Sequence, residues 1–264
     1  MDLRLNTSVD GPQLAKLLSD YDAVFLGIGL GATSRLELPG ENLPGVWEAL
    51  DFIFQTHRGP YSECHVGRNV VVIGAGNTAI DCATEAARLG ANSVTIAYRR
   101  TAAEMSAYAY EYELAKADAI QFEWNAQPME FVEANGQLAG VRFQKVAVVG
   151  EGRTARIEVV PDSDFVIPCD MAVKALGQLP LAEFIKSVPG LRFEHGRLLV
   201  DRASGFTGVP GLYAGGDCIS KGAEIVNAVQ EGKIAARAIS ARLLSSPSGR
   251  PAAKNSVPAM EELR

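Results

Sequence analysis

Cysteine is scarce in this chain. Cys64, Cys82, Cys169 and Cys218 are all there are, no two stand as Cys-x-x-Cys, and their spacing fits neither a zinc nor an iron–sulfur pattern. A disulfide reductase of the thioredoxin reductase type is thereby argued against, and the four are expected as buried or half-buried free thiols. Histidine is scarcer still: His57, His65 and His195 lie far apart without metal-ligand spacing, so no metal site is expected. No apolar run reaches the roughly 18 residues that a membrane-spanning helix needs, and no charged-then-apolar leader precedes the first expected element, so a cytoplasmic protein without membrane association is expected. Positive charge is not in excess. The formal net charge of −6 argues against nucleic acid or an anionic lipid surface as a partner.

What is present suits a packed core. Hydrophobic residues make up 47% of the 264 and charged residues 21%, enough for one large domain or two ordinary ones. Residues 11–20 read as a short helix, and "YDAVFLGIG" as a buried strand ending in glycines. "ELPGENLPGV" reads as a turn-rich loop, and "VWEALDFIFQTH" as a helix broken by Gly59-Pro60. A β-α-β signal follows: a strand over 69–73, a helix over 78–89 closed by Gly90, and a strand over 93–97. Residues 104–117 look helical and "AIQFEW" is a third strand. From 127 to 160 the pattern is a β-meander with glycine turns at 136, 140, 150 and 152. "CDMAVKALG", "GRLLVD" and "GLYAGG" are strands, 222–244 is a long helix, and the Pro- and Ser-rich 245–264 is expected to be a flexible tail. Strands alternating with helices point to an α/β protein with parallel sheets.

The glycine-rich stretch "NVVVIGAGNTAID" carries the most chemistry. A phosphate on a helix N-terminus needs backbone N–H groups with no side chain in the way. Gly74 lets the chain turn out of the strand, Gly76 lets the backbone reach a pyrophosphate, and Ala79 takes the third position of a G-x-G-x-x-G/A pattern. Thr78 and Asp81 are spaced as a capping pair. At the end of the next strand an NAD site carries an acid for the ribose 2′-hydroxyl, whereas here "SVTIAY" is followed by Arg99-Arg100. Two guanidiniums suit the 2′-phosphate of NADP(H). "GIGLG" at 27–31 also follows a strand, but the residues after it do not begin a helix, so it is a turn. Near the other end, "GLYAGGDC" delivers Gly215, Gly216 and Asp217 to a loop. A helix follows, and its N-terminus, around Glu224, Ile225 and Val226, could stabilise negative charge there.

Together these motifs resemble the two-dinucleotide-binding-domain flavoproteins, and within them the small subunit of glutamate synthase and the electron-entry portion of dihydropyrimidine dehydrogenase. "VVVIGAGNTAIDCATEAARLGANSVTIAYRR" is similar to their NADPH fingerprint. "YDAVFLGIG", "AVKALGQ" and "GLYAGGDC…NAVQEGKIAA" are similar to their other landmarks, and the resemblance covers nearly all of 20–243. It implies an NADPH-dependent oxidoreductase that passes a hydride to FAD and electrons onward to a partner subunit or domain. Gly74, Gly76, Asn77, Thr78, Ala79, Arg99 and Arg100 would hold NADP(H), with Ala175, Leu176 and Gly177 near its nicotinamide side. Gly216, Asp217, Glu224, Ile225 and Val226 would hold FAD. No acid, base or nucleophile stands out as catalytic, and hydride transfer between cofactors requires none. Residues 1–63 and 179–244 are expected as two parts of an FAD domain, and 64–178 as the NADP-binding domain. Only one glycine fingerprint occurs, and the family's first FAD fingerprint and cysteine-rich region are not found. The resemblance therefore implies a shortened member with an incomplete FAD site, an open sheet edge and exposed apolar surface, which a homodimer or another chain would cover. The alternative is an NADP-binding module without catalysis, a sensor or docking subunit that does not retain FAD.

Overall fold

A computed structural model describes residues 2–149, 156–220 and 222–245. The expected tail from 246 and the expected glycine turns at 150 and 152 lie outside these residues. The helices are α1 (Gly11–Asp20), α2 (Ala49–Arg58), α3 (Asn77–Arg88), α4 (Ala109–Ala117), α5 (Ala182–Lys186), α6 (Asp217–Ser220) and α7 (Ile225–Ser245). The strands are β1 (Val24–Leu26), β2 (Val46–Glu48), β3 (Asn69–Ile73), β4 (Ser93–Tyr98), β5 (Gln121–Trp124), β6 (Ala126–Ala134), β7 (Gln137–Val149), β8 (Arg156–Pro168), β9 (Met171–Lys174), β10 (Phe193–Glu194), β11 (Arg197–Leu198) and β12 (Leu212–Ala214).

The chain forms two compact units. One is Thr33–Gln178, and the other takes the described residues before Thr33 and after Gln178. The first boundary therefore lies at 32/33 and not at 63/64 as the sequence suggested. The reason is pairing at a distance: Val46, Trp47 and Glu48 form a parallel strand against Ala172, Val173 and Lys174. This also corrects the expectation that "VWEALDFIFQTH" is helical throughout, since its first three residues are β2 and only the rest is α2.

The unit Thr33–Gln178 is built on a five-stranded parallel sheet in the order β2-β9-β3-β4-β5. The unbroken apolar run of β3 follows from burial on both faces, as in other parallel sheets. Val70 and Val72 pack with Ile80 and Ala83 of α3, whereas Val71 and Ile73 pack with Phe131, Val141 and Phe143 of an antiparallel meander, β6-β7-β8. Each such side chain contributes roughly 1.5–3 kcal/mol relative to exposure. Small residues on α3, among them Ala79, Ala83 and Ala86, are fully buried and let the helix lie close on the sheet. Gly90 takes φ +103 just past the helix and ends it, as expected. In the meander Gly136 makes the expected turn at φ +77. Gly140 does not: it lies inside β7 opposite Val132 and Pro168, where a Cβ would meet Ile167 O at 2.9 Å.

The other unit has a core of Leu14, Leu26, Ile185, Leu198, Leu212 and Ile219. Helix α1 starts with a reciprocal cap, Asp10 with Gln13. Strand β1 pairs in parallel with β12, and among the described residues this sheet has only those two strands. In this unit Phe25 is 40% exposed and Ile225 83%. The expected helix over 222–244 is α7, which begins at Ile225, and the short α6 precedes it.

Candidate functional site

In the unit Thr33–Gln178 a cavity of about 700 Å³ opens where β3, β4 and β9 end. Strand β3 connects to β4 on one side, while β9 arrives on its other side from about 100 residues downstream. That reversal makes the crevice at the carboxyl ends of a parallel sheet the expected ligand site.

Gly74 and Gly76 both line the cavity, but for different physical reasons. Gly74 sits at φ +127, donates its N–H to Ala97 O at 3.0 Å, and a Cβ there would meet Ala175 O at 2.2 Å. Its glycine is required by the protein itself. Gly76 has an ordinary extended backbone (φ −93, ψ 178), and a Cβ would have as nearest neighbour Ser106 Oγ at 3.4 Å. The fold tolerates a side chain there, and the space it would fill is cavity.

Gly76 is also the N-cap of α3, with no side chain capping the helix. This corrects the expected Thr78–Asp81 capping pair. An extended Gly76 starts the helix at Asn77, so Thr78 falls at the second helical position, inside the turn. Asp81 lies further along, where burial and the neighbouring Glu85 push its carboxyl above its ordinary value. The N–H groups of the first turn thus face the cavity end without a side-chain partner. Asn77 does not line the cavity; its Oδ1 accepts the Tyr108 N–H at 3.1 Å and ties the loop before α4 to the glycine turn. Ala79 is buried below it.

Thr78, Arg99, Arg100, Ala175, Leu176 and Gly177 all line the same cavity. Arg99 and Arg100 are exposed, and neither makes an ion pair with a described residue. Gly177, at φ +82, accepts the Ser34 N–H through its carbonyl at 3.1 Å. The lining includes three arginines and no carboxylate. The third, Arg35, has no motif signal, because it lies in a turn-rich loop far upstream. Nor did the sequence reveal what anchors that loop. Glu41 is buried and accepts the N–H groups of Leu36 (3.0 Å) and Glu37 (2.7 Å), and Lys174 Nζ lies 2.6 Å from Glu41 and 2.6 Å from Glu48. The only hint was a lysine inside the apolar run "AVKALG". Burial raises the Glu41 carboxyl, but the Lys174 hydrogen bond and the two backbone donors outweigh it and hold it below its ordinary value. Burial lowers Lys174, yet the two carboxylates more than reverse it.

The second group of expected residues lies in the other unit. Gly216, at φ +80, donates its N–H to Glu231 Oε2 at 2.6 Å. Asp217 begins α6, and its Oδ1 accepts the Ala223 N–H at 3.2 Å. Glu224 precedes α7, its N–H bonded to Asn227 Oδ1 at 3.1 Å, and Ile225 and Val226 are exposed on the first turn. Gly215 is required by packing, since a Cβ would meet Phe25 at 3.0 Å and Glu231 at 3.1 Å. Buried Cys82, Cys169 and Cys218 have thiols pushed up by burial, Cys169 to about 12, so they are protonated near neutral pH.

Residues 7–232 match the pyridine nucleotide-disulphide oxidoreductase family. The chain belongs to that family. It is 34% identical over 259 residues to the NADPH glutamate synthase small chain of Escherichia coli K12, covering 90% of this chain and 54% of that protein. It is 35% identical over 249 residues to the beta subunit of the NADP(+)-dependent formate dehydrogenase of Moorella thermoacetica, covering 90% of this chain and 34% of that protein. The chain thus spans about half or less of these relatives. Among solved structures, thioredoxin reductase of T. acidophilum superposes with a TM-score of 0.67 at 24% identity, over 84% of this chain and 66% of that one. Mycobacterium tuberculosis FprA in complex with NADPH gives 0.66 at 19%, over 89% and 67%. The fold class is therefore the two-dinucleotide-binding-domain flavoprotein class that the sequence led us to expect. Among the described residues all four cysteines are free, and no helix is long and apolar enough to cross a membrane.

Proposed function

We propose that this chain is the nucleotide-binding part of an NADPH-dependent flavin oxidoreductase of the glutamate synthase small-subunit kind. NADP(H) binds in the cavity of the unit Thr33–Gln178. The observation that carries this reading is Gly76: no described residue demands a glycine there, and its missing side chain leaves room for a phosphate against the uncapped start of α3. In this reading Gly74, Gly76 and Thr78 form the pyrophosphate cradle, with Asn77 fixing its flank and Ala79 its floor. Arg99 and Arg100 take the 2′-phosphate, and Ala175, Leu176 and Gly177 border the nicotinamide. The absence of a carboxylate from the lining favours NADP(H) over NAD(H). The names of the two relatives, one NADPH and one NADP(+) enzyme, agree with that choice.

FAD is the second cofactor in this reading, held by Gly216, Asp217 and the start of α7 at Glu224, Ile225 and Val226. Bound FAD would supply the hydride acceptor. The fit is partial. Among the described residues no donor is bonded to Asp217 Oδ2, which could accept a hydroxyl, but the Gly216 N–H is already donated, and both glycines of the turn have reasons within the protein. Electrons then pass to a partner subunit or domain, and a homodimer is a second way to cover the exposed apolar face. The partial fit also favours a second reading, a non-catalytic NADP-binding module that does not retain FAD. The visible spectrum of the purified chain separates them, recorded after adding FAD and removing the excess, and again after NADPH. A retained flavin band bleached by NADPH supports the oxidoreductase. NADPH binding without retained flavin supports the module, and failure to bind NADPH sinks both.

A further inference from the structure

Arg35 is the cavity's third cation, and neither its sequence context nor the expected site residues account for it. It sits with Ser34, Leu36 and Leu38 on one loop that lines the cavity. Its Nη2 donates to the neutral Asn42 Oδ1 at 3.2 Å, and no carboxylate among the described residues pairs with it, so no described residue neutralises its charge. The backbone on both sides is fixed. The Ser34 N–H is bonded to Gly177 O at 3.1 Å, and the N–H groups of Leu36 and Glu37 are both bonded to the Glu41 carboxylate. Glu37 is held at φ +57, a conformation that costs a non-glycine residue about 1–3 kcal/mol unless its surroundings impose it. The imposing group is Glu41, itself clamped by buried Lys174. An exposed arginine on a free loop would have no use for such an anchor; a preorganised cation would.

The sheet order places this cation relative to the other two. Gly177, to which the loop is tied, follows β9, whereas Arg99 and Arg100 follow β4, and β3 with its glycine turn lies between. Arg35 is thus on the side of the glycine turn away from the pair assigned to the 2′-phosphate. The negative charge that remains for it is one that NADPH and NADH share. Resting on the reading that this cavity binds a pyridine dinucleotide, we infer that Arg35 binds the dinucleotide's pyrophosphate, with Glu41 and Lys174 as positioning residues that hold its loop.

The test is titration of the purified chain with NADPH and with NADH, followed by the fluorescence of the reduced nicotinamide, on the wild type and on R35A, R35K and R99A. R35A is expected to weaken both ligands by the same factor, about tenfold, as the loss of a charge-assisted hydrogen bond implies, and R35K to recover part of it. R99A is expected to weaken NADPH alone. E41Q is expected to weaken both ligands in the R35 background and to add nothing in the R35A background, a coupling that a general loss of structure would not produce. Unchanged affinity in R35A overturns the inference. Loss of NADPH affinity alone also overturns it, because Arg35 would then read the 2′-phosphate. A wild type that binds neither ligand removes the underlying reading and the inference with it, and so is told apart from a failure of Arg35 alone.

Discussion

Two glycines two residues apart line one cavity, and replacing each by alanine should have opposite consequences. In Gly74→Ala the new Cβ would lie 2.2 Å from the Ala175 carbonyl oxygen, with the backbone at φ +127. Alanine at that φ costs about 1–3 kcal/mol. Relieving the contact must move either β9 or the turn, because the obstacle is backbone and not the end of a flexible side chain. A total of about 3 kcal/mol is expected, and for a unit of this size each kcal/mol lowers Tm by roughly 2–4 °C, so Tm should fall by roughly 6–12 °C. In Gly76→Ala the backbone is extended and the Cβ's nearest neighbour is Ser106 Oγ at 3.4 Å. Its Tm should stay within about 2 °C of the wild type, since a change that leaves packing intact shifts stability by roughly 0.5 kcal/mol. Its NADPH affinity should nevertheless drop by about tenfold or more, because the methyl group would occupy the place proposed for a phosphate at the helix start. Differential scanning fluorimetry with and without NADPH reads both quantities on one sample. Equal melting temperatures for the two variants would refute the steric reasoning. Undiminished NADPH binding by Gly76→Ala would refute the assignment of the cradle.

Four further outcomes are expected. Replacing Arg99 and Arg100 together by alanine should reduce the ratio of NADH to NADPH dissociation constants by about tenfold or more, measured by titration with each ligand, because both arginines line the cavity and the contacts proposed for them are ones that only a 2′-phosphate offers. Lys174→Met should destabilise the chain by about 3–5 kcal/mol in urea denaturation, since it leaves Glu41 buried without its cation. The pair also sets a pH window. Glu41 has a folded value below its ordinary 4.5, so its contribution is present above 4.5 and is lost as the pH falls through the lowered folded value; Lys174 is raised above 10.5, so its contribution is present below 10.5 and is lost as the pH rises through the folded value. The urea midpoint of the wild type should therefore lose this contribution only outside that window, and Lys174→Met should show a weaker acid-side dependence. Last, a thiol reagent at neutral pH should label Cys64 quickly and the buried Cys82, Cys169 and Cys218 only after unfolding; four fast thiols in the folded protein would contradict the burial described above.

What could be read from the sequence was whatever local chemistry specifies. The β3–α3–β4 unit announces itself through a doubly buried valine run, a glycine turn and an alanine-rich helix face, all within about 30 residues, and Arg99-Arg100 follow directly at the strand end. Gly74, Gly76, Thr78, Arg99 and Arg100 were therefore found together in one cavity as their order along the chain implied. What could not be read was whatever depends on a distant partner. Val46, Trp47 and Glu48 look like the start of a helix until Ala172, Val173 and Lys174 offer them a parallel edge. That pairing moves residues 33–63 into the unit with the glycine turn. Gly76, not Thr78, is the N-cap of α3, and the turn that leads to it has no room for a side chain at Gly74, where a Cβ would meet the carbonyl oxygen of Ala175, about 100 residues away. Arg35 lines the cavity from a loop whose N–H groups at Leu36 and Glu37 are bonded to Glu41, and Glu41 meets Lys174, 133 residues away, as a buried ion pair. A strand's partner and a buried charge's counterion are chosen by the folded backbone, so the sequence by itself determined the glycine turn and the arginines at the end of the next strand, and only the tertiary structure decided what stands around them.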